Sequence, residues 1–309
     1  MAASITPIQE VPDIYPLIDT HTHFDEPVFD NDRALLVQQA YAKGVRHLVL
    51  VGYLYKHFER MYDAERLFNT TKTSNSQKVS HIESHIAVGL HPFYINEHSE
   101  EHLKNLAKMI AEQRPLAIGE IGLDTFTAEM KAPNVFARQV QFFQAQLDMA
   151  VLYQLPVILH IRKAHAEVLS ILKAHAYDAH KLGGIAHSFS GGEQEAKAFI
   201  KLGFKLGVTG QITNPNAKKL RRAIQAAVDS HGIECLVIET DCPDMMPIIC
   251  QASDNSWPNK QSRDRNTPAN LSWVLLSLSE LLEVSPDRLA KQLWLNSCNA
   301  LRTTWAYPL

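Results

Sequence analysis

Short apolar segments alternate with longer amphipathic segments along the chain. Eight short runs are rich in apolar and β-branched residues, a composition typical of buried strands. They cover residues 17–18, 45–52, 85–90, 115–121, 155–160, 184–187, 204–209 and 235–240. Between these runs, apolar residues recur every three or four positions, as they do on one face of a helix. The pattern therefore predicts strands separated by helices.

The predicted helices lie at residues 32–43, 58–68, 103–110, 164–174, 193–202 and 217–228. The clearest apolar stripe predicts a further helix between strands four and five, through Phe136, Val140, Phe143, Leu147 and Val151. Two more helices are expected after the last strand, because Thr267 and Ser285 each precede a proline suited to a first helical turn. The polar stretch 253–266 predicts a long loop.

Eight successive strand-helix units predict parallel strands joined by right-handed crossovers. In a chain of 309 residues, this repeat favours one closed (β/α)8 barrel, a TIM barrel, over an open sheet. We expect an N-terminal extension over residues 1–16, one barrel domain over residues 17–309, and extra helices at the C-terminal end.

The composition is that of an ordinary globular protein, with 46% hydrophobic and 20% charged residues. The net charge of −3 excludes a broad basic surface for a nucleic-acid backbone. No apolar run is long enough for a membrane span, and residues 1–16 lack the pattern of a secretory signal. Four cysteines without C-x-x-C spacing favour free thiols, although their even number leaves a disulfide open. We therefore expect a cytoplasmic protein with no membrane contact, and no protein partner can be inferred.

Histidines and carboxylates fall near the ends of the predicted strands. His21 and His23 follow the first strand and share one face, so that both can bind one cation. Glu120 lies in an apolar run, where a carboxylate needs a positive partner. The remaining candidates end strands five, six and eight: His160, His187 and Asp241. Because the carboxyl ends of barrel strands meet at one face, we expect a metal site there.

Any one of these histidines alone would more often be a hydrogen-bonded structural residue than a metal ligand. Together, four imidazoles and two carboxylates suit two divalent cations, Mg²⁺, Mn²⁺ or Zn²⁺, because one cation rarely takes six such ligands. Two dications, the two carboxylates and a shared hydroxide together leave a net charge of about +1, which favours an anionic substrate. Two neighbouring cations activate water for attack on phosphorus or on a carbonyl.

Six ordered motifs, spread over residues 17–301, resemble those of the TatD family of metal-dependent hydrolases. They are His21-Thr22-His23-Phe24-Asp25, Val88-Gly89-Leu90-His91-Pro92, Ile118-Gly119-Glu120-Ile121-Gly122-Leu123-Asp124, Leu155-Pro156-Val157-Ile158-Leu159-His160-Ile161-Arg162, His187-Ser188-Phe189-Ser190-Gly191 and Glu239-Thr240-Asp241-Cys242-Pro243. The resemblance implies a TIM barrel of the amidohydrolase-like superfamily and a DNase that trims DNA from the 3′ end with Mg²⁺ or Mn²⁺. It also implies metal ligands at the six positions already selected. The chain departs from the family at Cys242, where a smaller residue is usual.

We predict how the ligands divide between two cations. The first cation would be held by His21, His23 and Asp241, the second by His160 and His187, and Glu120 would bridge them. Asp241 would also accept a proton from the nucleophilic water. Glu120 and Asp241 are therefore the catalytic candidates.

Further residues are candidates for contacts with the substrate. Arg162 would share the face of His160 if strand five continues, and its guanidinium suits two phosphate oxygens; a salt bridge is the alternative. His91 would contact the phosphate or the leaving oxygen, or else orient a metal ligand, and Asp124 would be structural or orienting. The basic run at residues 218–222 offers a nucleic-acid track or a solvated helix face. Four aromatic residues offer base-stacking rings or core packing: Phe24, Phe93, Tyr94 and Phe189.

The leading hypothesis is a two-metal phosphodiesterase that acts on DNA, at single strands or 3′ ends. The same chemistry would serve a small ester, lactone or amide, and a metal-binding scaffold without activity is the third possibility. The chain has no G-x-S-x-G motif and no P-loop. Cys242 is a poor nucleophile, because the adjacent Asp241 carboxylate raises the pKa of its thiol.

Overall fold

The computed structural model describes residues 14–70, 81–251 and 265–308. Eight strands form one parallel sheet in which each strand lies beside its neighbour in the chain. The strands are β1 (Leu17–Thr22), β2 (Val45–Val51), β3 (Glu83–Val88), β4 (Ala117–Asp124), β5 (Val157–Arg162), β6 (Ile185–Ala186), β7 (Lys205–Val208) and β8 (Leu236–Ile238). All eight predicted strands, and with them the (β/α)8 barrel, are confirmed.

Ten α-helices occur in the described residues. They are α1 (Arg33–Ala42), α2 (Phe58–Thr70), α3 (Glu100–Gln113), α4 (Pro133–Tyr153), α5 (His165–Ala174), α6 (Ala179–Leu182), α7 (Glu193–Lys201), α8 (Lys218–His231), α9 (Leu271–Leu282) and α10 (Pro286–Leu301). Nine of them were predicted, whereas α6 is too short to show a helical period. Most of the predicted loop 253–266 lies outside the described residues.

The barrel closes between β8 and β1 through residues just past or at the ends of these strands. The Asp241 amide donates to the His21 carbonyl at 2.9 Å, and the His23 amide donates to the Cys242 carbonyl at 2.9 Å. Helix α10 packs against both strands and covers this junction. Three candidate ligands therefore lie at the place where the barrel closes, so their positions depend on its closure.

Two apolar layers alternate along the strands, because successive side chains point to opposite faces of a sheet. One cluster fills the inside of the barrel with Val49, Val51, Ala87, Ala117, Ile158, Ile185 and Val237. The neighbouring residues Leu48 and Leu50 of β2 belong instead to the larger cluster that lies between the strands and the helices. The inside of the barrel is thus a packed core, and the polar site lies above it.

The barrel begins at Leu17, where the predicted domain begins. Residues 1–13 of the predicted extension lie outside the described residues. All four cysteines are free thiols, so the alternative of a disulfide is wrong. No helix of the described ranges combines the length and apolarity that crossing a bilayer requires.

A buried amide on α10 provides a test of how this helix is joined to β8. The Asn296 side chain donates to the carbonyls of Ile233 and Leu236 at 2.7 and 2.8 Å. Asn296→Leu leaves both carbonyls without this donor, so we expect the free energy of unfolding to fall by about 2–3 kcal/mol. Urea denaturation measures the change. The exposed Asn299→Leu on the same helix should shift it by less than about 0.5 kcal/mol, and equal shifts would contradict the assignment.

Candidate metal centre

The six predicted metal ligands meet at the carboxyl end of the barrel. They lie on or just after five strands: His21 and His23 at β1, Glu120 in β4, His160 in β5, His187 after β6, and Asp241 after β8. Strand β4 extends three residues further than predicted, so Glu120 lies within it rather than at its end. The carboxylate is 2% exposed and forms the floor of a pocket of about 680 Å³.

Four donor atoms form a compact group on one side of Glu120. Its Oε2 atom lies 3.3 Å from His21 Nε2 and 3.8 Å from His23 Nε2. Asp241 Oδ1 lies 3.7 and 3.6 Å from the same two nitrogens, which are 3.4 Å apart. Ligands of a tetrahedral zinc-like cation stand about 3.4 Å from one another, so these separations fit a single cation.

The other oxygen of Glu120 faces a second group of histidines. Its Oε1 atom lies 2.7 Å from His160 Nδ1 and 3.8 Å from His187 Nε2. His187 Nε2 also lies 3.5 Å from Asp241 Oδ2, the oxygen that faces away from His21 and His23. The two oxygens of Glu120 therefore face different sets of ligands, as a bridging carboxylate does. The ligand roles themselves stay predictions.

The second ring nitrogen of two candidate ligands faces an oxygen acceptor. His23 Nδ1 donates to the Val51 carbonyl at 2.9 Å, which places the lone pair on Nε2, toward Glu120. His160 Nε2 lies 3.0 Å from Asp124 Oδ2, which leaves Nδ1 toward Glu120. Metal-binding histidines are usually oriented in this way by an acceptor behind the ring. The donor chemistry thus fits a cation, and Asp124 has the orienting position that was one of its two predicted roles.

His91 lies close to Glu120 but has the wrong tautomer for a metal ligand. Its Nδ1 accepts from the Phe93 amide at 3.0 Å, so the ring proton is on Nε2. Nε2 in turn lies 3.0 Å from His160 Nδ1 and 3.3 Å from Glu120 Oε1. Burial lowers the pKa of His91 to about 4, so the ring is neutral at physiological pH. His91 is thus hydrogen-bonded to His160 and lies beside Glu120 in the pocket lining. Its predicted roles, orienting a metal ligand or contacting the substrate, both stay predictions.

The electrostatics of the cluster favour positive charge beside Glu120. Burial alone would raise the pKa of this carboxyl, but the surrounding histidines, His91 foremost, hold it well below its usual value. Burial alone would lower the pKa of His160, yet its hydrogen bonds to Asp124 and Glu120 raise it to about 9. Glu120 is thus ionised at neutral pH, and its charge is balanced by protons or by cations in the same place.

Glu239 is a functional candidate that the sequence analysis passed over. It is fully buried, and its Oε1 atom lies 2.9 Å from His187 Nδ1 and accepts from the Ser188 amide at 2.6 Å. Gly207 makes room for it, since a Cβ there would stand 2.2 Å from the same oxygen. The acid two residues before Asp241 in the last motif was the available signal. Glu239 thus lies behind the His187 ring at ion-pair distance, and we predict that its charge orients this ring.

Arg162 lies at the mouth of the pocket, and among the described residues it has no salt bridge, which was the alternative considered for it. Strand β5 continues through Arg162, as its predicted placement on the face of His160 required. The centre of the Phe126 ring lies 3.7 Å from the guanidinium carbon, so the guanidinium stacks on an aromatic face. Phe126 is 50% exposed, and sequence reasoning missed it. The guanidinium group is thus held in place, and its charge remains accessible to a substrate.

The structure separates the predicted aromatic residues into two kinds. Phe93 and Tyr94 line the pocket and are available to a substrate. Phe24 and Phe189 are 0% and 4% exposed and pack against other phenylalanine rings, so the base-stacking interpretation is wrong for these two. Their burial completes the apolar core beneath the loops.

The basic run lies on the first turn of α8, behind the pocket wall. Arg221 donates to the Ile212 carbonyl at 2.6 Å and holds the turn that carries the pocket residue Gln211. The remaining members of the run are exposed: Lys218, Lys219 and Arg222. Their use as a nucleic-acid track stays a prediction.

Known proteins are similar to this chain in both sequence and fold. A family model described as TatD related DNase matches residues 18–302. The chain belongs to the TatD-related DNase family. The Escherichia coli K12 protein YjjV, named an uncharacterized metal-dependent hydrolase, is 34% identical over 283 residues, 91% of this chain and 95% of YjjV. The 3′-5′ ssDNA/RNA exonuclease TatD of Cronobacter sakazakii is 28% identical over 291 residues, 92% of this chain and 99% of that protein.

Solved structures of TatD-related proteins have the same fold. The crystal structure of YjjV matches with a TM-score of 0.74 at 31% identity, covering 93% of this chain and 98% of that chain. A TatD family hydrolase from Entamoeba histolytica matches with a TM-score of 0.77 at 21% identity, covering 93% and 98%, and supports the fold alone. The expected family, TIM barrel and class of metal-dependent hydrolase are confirmed. The number and identity of the cations stay predictions.

The contact between Glu239 and His187 predicts an effect on metal affinity. Glu239→Gln keeps the shape of the side chain but removes the charge that orients the ring, so we expect the affinity for divalent cations to fall about 10- to 100-fold. Isothermal titration of the metal-free protein with Mn²⁺ measures this. The exposed Glu234→Gln in the same segment is the matched control and should bind as the wild type does. Unchanged affinity in Glu239→Gln would rule out the orienting role.

Proposed function

We propose that the protein is a two-metal phosphodiesterase that hydrolyses single-stranded DNA from its 3′ end. The observation that carries this proposal is the division of the Glu120 oxygens between two sets of histidines at the floor of an open pocket. A bridging carboxylate of this kind is the arrangement that two-metal hydrolases need. The position of Arg162 at the mouth adds a guanidinium suited to a phosphate.

The six ligands would divide between the two cations according to which oxygen of Glu120 they face. The first cation would be held by His21, His23 and Asp241, the second by His160 and His187, and Glu120 would bridge them. Mg²⁺ and Mn²⁺ are the ions implied by the family, and the many imidazoles also suit Zn²⁺. When bound, such cations lower the pKa of a water molecule and neutralise charge on the phosphate.

The chain's own residues then supply proton transfer and orientation. Burial opposes ionisation of Asp241, but His187 and His21 lower the pKa of its carboxyl, which is therefore free to accept a proton at neutral pH. His91 Nε2 is hydrogen-bonded to His160 Nδ1 and lies 3.3 Å from Glu120 Oε1, so this ring would keep both side chains in place. Arg162 would bind the phosphate through two parallel hydrogen bonds.

The burial of the floor supports a single-stranded end as the substrate. A phosphate must approach Glu120, which is 2% exposed, and a strand that stays stacked in a duplex cannot reach so deep a position. A strand end can enter, with its bases against the rings of Phe93 and Tyr94 that line the pocket. Similarity to proteins named 3′-5′ ssDNA/RNA exonuclease supports the same substrate and polarity, and it makes RNA the next substrate to test.

Hydrolysis of labelled oligonucleotides tests this function. Single-stranded DNA with its label at the 3′ end should lose the label as mononucleotide in the presence of Mn²⁺ or Mg²⁺, and excess EDTA should abolish the reaction. Glu120→Gln should lower kcat at least about 100-fold, because an electrostatic element of an active site typically contributes this much.

Comparison substrates decide between the proposal and its alternatives. Duplex DNA, RNA, bis-p-nitrophenyl phosphate, lactones and carboxylic esters are assayed under the same conditions. Turnover of lactones or esters with intact oligonucleotides would contradict the nuclease function. Stoichiometric metal without any hydrolysis that chelation stops would instead favour a metal-binding scaffold.

The stacking of the Arg162 guanidinium leads us to expect a loss of activity even in a variant that keeps the positive charge. Arg162→Lys removes the planar fork, so we expect kcat/KM on the oligonucleotide to fall about tenfold, the value of one strong hydrogen bond. Steady-state kinetics measure this. Arg138, whose guanidinium lies 4.8 Å from the Phe142 ring outside the pocket, offers the matched control. Equal losses in Arg162→Lys and Arg138→Lys would contradict a role in phosphate binding.

A further inference from the structure

A second group of metal-binding side chains lies at the opposite end of the barrel. It consists of His47 in β2 together with Glu83 and His85 in β3. The barrel pairs β2 with β3 so that His47 lies directly across from Glu83, and His85 follows two residues later on the same face. His47 precedes Val51, at the carboxyl end of β2, by four residues, or about 13 Å of strand. The group is therefore separate from the centre around Glu120.

The separations between the three side chains suit a cation. His47 Nδ1 lies 3.1 Å from His85 Nε2 and 3.8 Å from Glu83 Oε2. One donor atom from each residue lies within 4.8 Å of the other two. Two nitrogens bound to one zinc ion at about 2.05 Å stand about 3.3 Å apart, which is close to the separation in this hydrogen-bonded pair; a cation would replace the shared proton.

Stacking on Trp305 fixes the two imidazoles without using their nitrogens. Its ring lies 4.3 Å from His47 at an interplanar angle of 8°, and 4.3 Å from His85 at 26°. A metal binds an imidazole in the plane of the ring, whereas Trp305 contacts the ring faces. The Trp305 carbonyl is held in turn by the indole of Trp294 at 2.8 Å. The tail after α10 thus preorganises the group.

We propose that His47, Glu83 and His85 form a second, independent site for a divalent transition metal such as Zn²⁺. Two imidazoles and one carboxylate are an established zinc ligand set, with a water molecule in the fourth position. The Glu83 side chain is 41% exposed, so that water and the ion reach the site from outside the barrel. The bound cation joins β2 to β3 beneath Trp305 and strengthens the amino-terminal end of the barrel.

Metal counting tests the proposal. After dialysis against Zn²⁺, the wild type should contain one more equivalent than Glu83→Gln, measured by mass spectrometry. Removing a residue that only orients a metal ligand typically lowers metal affinity about 10- to 100-fold. Removing the Glu83 ligand itself should therefore lower the Zn²⁺ affinity of this site about 100-fold or more. Glu101→Gln, an exposed glutamate on α3, is the matched control and should bind as the wild type does. Oligonucleotide hydrolysis should be the same in all three proteins.

Tryptophan fluorescence gives a second readout that does not involve the catalytic centre. Co²⁺ bound beside Trp305 and Trp294 should quench the emission, and Trp305→Phe should weaken this quenching while the extra equivalent of metal stays bound. His85→Ala should lose both the quenching and the extra equivalent. Equal metal content in the wild type and Glu83→Gln would overturn the proposal, as would Co²⁺ quenching that survives in His85→Ala.

Discussion

A carboxylate inside the barrel, Glu120, sets the requirements that the rest of the site meets. An ionised carboxylate with 2% exposure costs several kcal/mol unless positive charge compensates it. Histidines from three other strands converge on its two oxygens at 2.7–3.8 Å and provide that compensation, by protonation or by holding cations. Because those histidines come from strands across the whole barrel, the site forms only when β8 and β1 are joined.

Two glycines allow close packing around the candidate site. A Cβ at Gly89 would lie 2.7 Å from the Glu120 amide nitrogen, so β3 and β4 approach closely only because the residue is glycine. Gly207 allows the Glu239 carboxylate to lie behind His187 in the same way. The layer that orients the ligands thus depends on small residues that carry no chemistry themselves. This explains how buried charges stay in a fixed geometry.

The strands and the six candidate ligands could be predicted because both follow from local pattern. Period and composition indicate strands, and parallel strands bring their carboxyl ends together whatever lies between them. What could not be predicted depends on contacts between distant segments. The tautomer of His91 is set by a backbone amide, and Arg162 takes its support from Phe126 in another loop. Burial of Phe24 and Phe189, which overturned one interpretation, also depends on how the loops pack against the helices.

The proposed function depends on two cations that share Glu120. Anomalous diffraction from crystals of the protein soaked in Mn²⁺ tests this arrangement most directly. We expect two peaks about 3.5–4 Å apart, one beside the Nε2 atoms of His21 and His23 and one beside His160 and His187, with Glu120 in contact with both. A single peak, or peaks that do not touch Glu120, would contradict it.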